Sequence, residues 1–232
     1  MGRNPVTLTE QANLTVCPPA PFHFDTTTSK PSTLPDPTTA HEPGVHWQTV
    51  RWNEQILGIR LNDNGTREDP KLGITVFAER VLPPAVVESI GFELRWRYDL
   101  DTDLSWFCRH FAADPALSGP IERIGGMRVS CAFSLYEWVS VLALLQMATA
   151  GRISAIQTFH HYDAFDVVPP WETKLYSRLL YDTETVPAEH ILTDMTARYG
   201  RWRALAGAYL LEDLFLRHQR DPIDWLAAEI RM

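Results

Sequence analysis

Cysteine is scarce in this chain: Cys17, Cys108 and Cys131 are odd in number, far apart and never in a Cys-x-x-Cys pair. That argues against a disulfide framework and a cysteine-based zinc site, and fits a reducing interior. Long apolar runs are missing too. The longest lies near Val139–Leu145, well short of the ~20 residues that span a bilayer. The opening MGRNPVTLTEQ has no apolar stretch of the kind a signal peptide needs. The expectation is a soluble, intracellular protein with no membrane partner. Positive charge is in deficit: 21 Lys+Arg against 29 Asp+Glu leave a formal charge of −8. The molecule as a whole repels nucleic acid, so any such contact needs a local basic face. No Gly-x-Ser-x-Gly, no P-loop and no Gly-x-Gly-x-x-Gly occurs. Triad hydrolases, nucleoside-triphosphate sites and dinucleotide sites therefore have no support.

What is present divides at two places. Residues 1–45 are rich in Pro and Thr and read as an extended segment, with Phe22–Phe24 as an edge strand. Residues 46–97 read as a small antiparallel sheet with a connecting helix. There WQTVRWNEQILGIRL alternates, the polar turn NDNGTREDPK holds Asn64-Gly65, and LGITVFAE returns. Residues 98–232 read as a helical domain. Asp114-Pro115 looks like an N-cap with Pro at the first helical position. Ser134-x-x-Glu137 is a capping box ahead of the most apolar helix, to Ala150, which is expected to be the central one. Pro187, Arg201 and Asp221-Pro222 mark the starts of later helices. The fold class is α+β.

Three stretches carry a family likeness. The first, YDLDTDLSWFCRHFAADPALSGPIERIGGMR, holds Leu-Asp-x-Asp-Leu, Asp-Pro-x-Leu and then Gly126-x-Arg128. The second, FSLYEWVSVLALLQ, is a helix with an aromatic, a Glu and a closing Gln. The third runs from PPWETKLYSRLLY through RYGRWRALAGAYLLEDLF to DPIDWLAAEIRM. In this order, after a small sheet, they resemble the helix-hairpin-helix DNA glycosylases that act on alkylated purines and 8-oxoguanine. One departure stands out. Where the family places several helices and a Leu-x-Gly-x-Gly hairpin that grips a DNA phosphate, this chain has only about ten residues, Ala150–Phe159, without Gly-x-Gly. The chain resembles a family member with an internal deletion. The likeness depends on the sheet: His46–Glu79 must form an antiparallel hairpin ahead of the helices.

The resemblance implies hydrolysis of the N-glycosidic bond of a damaged purine, flipped out of double-stranded DNA. Such chemistry needs a fixed carboxylate beside the sugar, where positive charge develops. Registering the family's segment on Lys174 puts Pro170 where the carboxylate belongs. The candidates become Glu172 and Asp166. Glu172 is also readable as an acidic first-turn residue that stabilises its helix, and Asp166 as a loop-end carboxylate. Trp171, Trp138 and Gln146 are the candidate base pocket, against the alternative of structural tryptophans. Lys174, Arg178, Arg198, Arg201 and Arg203 are the candidate DNA contacts. Their other reading is a solvated face balanced by Glu212, Asp213, Asp221 and Asp224. His160-His161-x-Asp163 lacks the i, i+4 spacing of a metal site, and no cofactor is expected. A non-catalytic remnant is the rival reading. Loss of helices would bare the Ser134–Ala150 helix and favour a homodimer through it.

Overall fold

The computed structural model describes residues 7–32, 36–131 and 160–230. A five-stranded antiparallel sheet comes first, in the order β1-β5-β4-β3-β2. Its centre is built by period-2 alternation. β3 (Val45–Trp52) and β4 (Gln55–Asp63) pair from Val45↔Asn62 to Trp52↔Gln55. Leu57, Ile59 and Leu61 of β4 point inward, and Gly58, Arg60 and Asn62 point away. The reversal between the two strands lies at Asn53, whose φ of 53° is a left-handed conformation that Asn adopts at low cost. Alternation alone does not mark this reversal, because Asn-Glu is a weak turn pair beside the Asn-Gly that follows. The chain reverses again at that Asn-Gly, where residues 64–71 lead into β5 (Leu72–Ala78). Gly65 is required there: a Cβ would sit 2.4 Å from Asp69 O and Lys71 N. The antiparallel hairpin that the likeness depends on is present.

Both edge strands come from the Pro/Thr-rich start. β1 (Thr9–Val16) joins β5 with a bulge between Glu10 and Ala12, and β2 (Thr39–Glu42) joins β3. Phe22–Phe24 is not an edge strand. Phe22 N–H donates to Arg67 O and His23 N–H to Gly126 O, so neither is left for a ladder. His23 then caps a short helix, α1 (Phe24–Thr28), by accepting from Thr26 N–H. Phe22 and Phe24 fill the core beneath the sheet with Ile74, Val76 and the inner face of α2 (Pro84–Arg97).

A second core holds the helices together. It gathers α3 (Ser105–His110), α4 (Ser118–Ile124), α5 (Pro170–Tyr181), α6 (Ala188–Tyr199), a 3-10 turn at Gly200–Trp202, and α7 (Arg203–Arg220). α8 (Asp224–Glu229) closes against α5 and α7 through Leu175, Leu214 and Leu226. Proline at the first helical position starts α2 and α5. Asp114 caps differently from expectation. Its Oδ1 accepts from Ala116 and Leu117 N–H, closing a lead-in turn, so that α4 proper begins only at Ser118. The expected central helix, Ser134–Ala150, lies outside the described residues, and with it the surface for a homodimer. Among the described helices α7 holds the centre, burying a continuous row from Ala204 to Leu214 with few breaks. No described helix is long and apolar enough to cross a membrane.

Candidate functional site

The segment from His160 to the start of α5 positions both candidate carboxylates. It has no helix or strand of its own, yet it is pinned at several points. Tyr162 O accepts from Ala204 N–H at 2.8 Å, and its hydroxyl donates to Asp99. Burial, and then the Asp99 carboxylate beside it, push the Tyr162 phenol well above its ordinary range. Phe165 packs edge-on against Tyr176, with ring centroids 5.5 Å apart, and both rings close over Gly207 of α7. His160 adopts a left-handed φ and reaches Trp96 O at 2.8 Å through Nε2. These contacts tie the segment to α2, α5 and α7, so the chain enters α5 at a fixed point.

At that entry Pro169 and Pro170 set the backbone, and Thr173 N–H closes the first turn on Pro169 O at 2.8 Å. Glu172 lies on this first turn with only 2 % of its surface exposed. A carboxylate there faces the positive end of the helix dipole. Trp171 beside it keeps 40 % of its surface in solvent. Asp166 is set apart in character: its side chain is 82 % exposed and pairs with Arg203 at 3.5 Å. The other two pocket candidates, Trp138 and Gln146, lie outside the described residues.

The five candidate DNA-contacting cations fall into three groups. Lys174 and Arg178 turn toward α8 and the loop after α5: Lys174 pairs with Glu229 at 2.8 Å, and Arg178 with Glu184 at 3.3 Å and the Trp225 ring. Arg198 is drawn inward to Asp114 and Asp194, and Tyr199 donates to the same Asp114. Burial works to raise the Asp114 carboxyl, but the N–H groups of Ala116 and Leu117 and the Arg198 guanidinium outweigh it and hold it below its usual range. Arg201 lies over the Trp202 ring and Arg203 meets Asp166. The reading of a solvated face balanced by acids fails at two of its four acids. Glu212 and Asp213 are buried, whereas Asp221 and Asp224 are exposed.

Asp213 is a buried ion-pairing carboxylate that the sequence did not disclose. It receives Arg123 from α4 and Arg217 from its own helix. Arg128, of the Gly-x-Arg pair, is fully buried, with Nη2 on Pro19 O and with no partner for Nε and Nη1 among the described residues. Its place in the first of the three family-like stretches was the only signal for it. Among the described residues no cluster of His, Cys, Asp and Glu has the makings of a metal site.

A small antiparallel sheet followed by helices packed around α7 is a DNA glycosylase-like fold. Solved structures of that fold superpose on almost the whole chain. MBOgg1 in complex with a low-affinity DNA ligand matches with a TM-score of 0.59 at 11% identity, over 93% of this chain and 100% of its own. The 8-oxoguanine glycosylase/lyase of Clostridium acetobutylicum, bound to double-stranded DNA with cytosine opposite 8-oxoG, gives 0.58 at 10%, over 94% and 99%. The 3-methyladenine DNA glycosylase of Archaeoglobus fulgidus gives 0.54 at 12%, over 88% and 99%. No family model matches the chain, and no curated protein matches it in sequence.

Proposed function

We propose that this chain is a DNA glycosylase-like protein of base excision repair, acting on damaged purines in double-stranded DNA. The observation that carries the reading is the glycosylase fold, shared over 88–94% of the chain with enzymes that act on 3-methyladenine or 8-oxoguanine. Glu172 is the carboxylate assigned to the reacting sugar. Its place on the opening turn of α5, facing the positive end of the helix dipole, supports it over Asp166, which is solvated. In the reaction the bond between the sugar and the base breaks, and its electron pair leaves with the base. Charge left on the sugar is stabilised by the carboxylate until a water oxygen bonds to that carbon. Water's proton then goes to the solvent or the departing base. Trp171, with Trp138, would face the extruded base, and the cations around Gly200–Arg203 would meet phosphates.

A second reading, a non-catalytic relative that binds DNA or only keeps the fold, has a specific observation in its favour. Pro170 stands where the likeness places the family's carboxylate, and each of the five expected cations has a partner within the chain. Excision from a labelled duplex panel carrying methylated purines, 8-oxoguanine and uracil separates the two. Release that falls at least ~100-fold in Glu172→Gln, on the scale of other charge-stabilising groups, and only slightly in Asp166→Asn supports the enzyme. No release from any lesion by folded protein leaves the relative without catalysis.

A further inference from the structure

Between α4, α5 and α7 lies a cavity of about 390 Å3, whose lining includes neither Glu172 nor Asp166. Arginines enter it from all three helices: Arg123 from α4, Arg178 from α5 and Arg217 from α7. One carboxylate faces them, Asp213, and it is almost fully buried. Both its oxygens are taken, by Arg123 Nε at 2.5 Å and Nη2 at 2.8 Å and by Arg217 Nε at 3.0 Å. Three guanidiniums against one carboxylate leave an excess of two positive charges, in a chain whose formal charge is −8. The nearby acid on Arg178, Glu184, is 87% exposed, and solvent screens it.

The arginines are held, not loose. Asp213 fixes two of them, and the Trp225 ring backs Arg178 at 5.3 Å. Gly119 completes the arrangement. A Cβ at that position would stand 2.7 Å from Arg123 Nη2, so the bare glycine lets the guanidinium lie close against its own helix. The Nη groups of Arg217 have no acceptor among the described residues.

The geometry points to a binding site for a phosphomonoester carried on a nucleotide-sized ligand, independent of the excision reading. Guanidinium N–H groups match phosphate oxygens in pairs. The charge excess matches the −1.5 to −2 of a phosphomonoester at neutral pH, and the volume falls within the range of small-molecule sites. A free nucleotide and the 5′-phosphate of a DNA strand present the same group.

Calorimetric titration of the full chain tests this with inorganic phosphate, dAMP, deoxyadenosine, and a short oligonucleotide with and without a 5′-phosphate. Phosphate and dAMP bind and deoxyadenosine does not. Arg178→Gln and Arg217→Gln each weaken dAMP about tenfold or more, a factor worth ~1.4 kcal/mol. Arg178→Gln leaves both arginines on Asp213 in place, so its loss of binding is separable from a loss of folding, which circular dichroism monitors. Oligonucleotide binding that is tighter than that of dAMP and weakens when the 5′-phosphate is removed identifies a strand end as the source, and weaker binding than dAMP or indifference to the 5′-phosphate a free nucleotide. The proposal is overturned if neither phosphate nor dAMP binds, if deoxyadenosine binds as well as dAMP, or if both arginine variants bind unchanged.

Discussion

Arg123 grips Asp213 through two parallel hydrogen bonds, Nε to Oδ1 at 2.5 Å and Nη2 to Oδ2 at 2.8 Å, and so ties α4 to α7. The pair is lopsided in burial: the Arg123 side chain is 34% exposed and that of Asp213 only 1%. That asymmetry fixes the order of two mutational costs. Arg123→Met leaves a buried carboxylate with Arg217 alone and is expected to cost about 3 kcal/mol. Asp213→Asn frees two half-exposed guanidiniums that water can solvate, and is expected to cost about half as much. Urea denaturation of the two variants checks it, and equal costs or a reversed order would contradict the account.

Gly207→Ala is expected to destabilise, although the exchange favours an isolated helix by up to ~1 kcal/mol. The added methyl would meet Tyr176 Oη at 2.8 Å and Phe165 Cε2 at 3.0 Å. Neither ring has room to move, because both are buried in the helical core. A net cost of about 1–3 kcal/mol follows from overpacking. Since Phe165 anchors the segment ahead of α5, excision activity should fall further than stability alone explains. Thermal melts beside a single-turnover assay separate the two effects.

How much of this was readable in advance depends on how local the signal is. Most of the described helices after Pro83 were legible, because proline at the first turn and apolar periodicity are written within a dozen residues. The hairpin at Asn64-Gly65 was legible for the same reason. β1 was not, since Thr9–Val16 becomes a strand only by pairing with Leu72–Ala78, far along the chain. The same distance hid the site features. Arg123 and Asp213 are ninety positions apart, and nothing near either says that the acid is buried. The fold resemblance placed Glu172 at a helix start, but its burial comes from packing that no short motif encodes.

His46 makes stability fall in mild acid. Burial, and then its neighbour His41, lower its pKa from 6.5 to about 4, and Nδ1 is buried without a partner among the described residues. The unfolded chain therefore binds a proton below about pH 6.5 that the folded chain refuses until about pH 4. Stability is lost as pH falls through that window, by roughly 2 kcal/mol at pH 5 at 1.36 kcal/mol per unit. Denaturation at pH 7 and pH 5 measures the drop, and His46→Gln should flatten it. A drop of the same size in the variant would assign it to other groups.

Lys30 and Glu212 latch the N-terminal segment across α7. Ser32 donates to Glu212 through both N–H (2.9 Å) and Oγ (2.7 Å), Lys30 Nζ donates to Ser130 O at 2.5 Å, and Gln219 Nε2 to Pro31 O at 2.8 Å. Burial pushes the Glu212 carboxyl up and the Lys30 ammonium down, and each charge opposes the other's shift. Each is therefore the other's compensation. Removing both should therefore cost less than the two separate removals added together. Lys30→Met and Glu212→Gln are each expected to destabilise by about 2–3 kcal/mol, and the double variant by less than the sum of the two, with a coupling of about 1–2 kcal/mol. Limited proteolysis between Ser29 and Ser32 should quicken in either single variant, because the latch is what holds that backbone against the helix. Additive costs with unchanged cleavage would show that the Ser32 and Gln219 bonds suffice, and that the charges face each other without holding the segment.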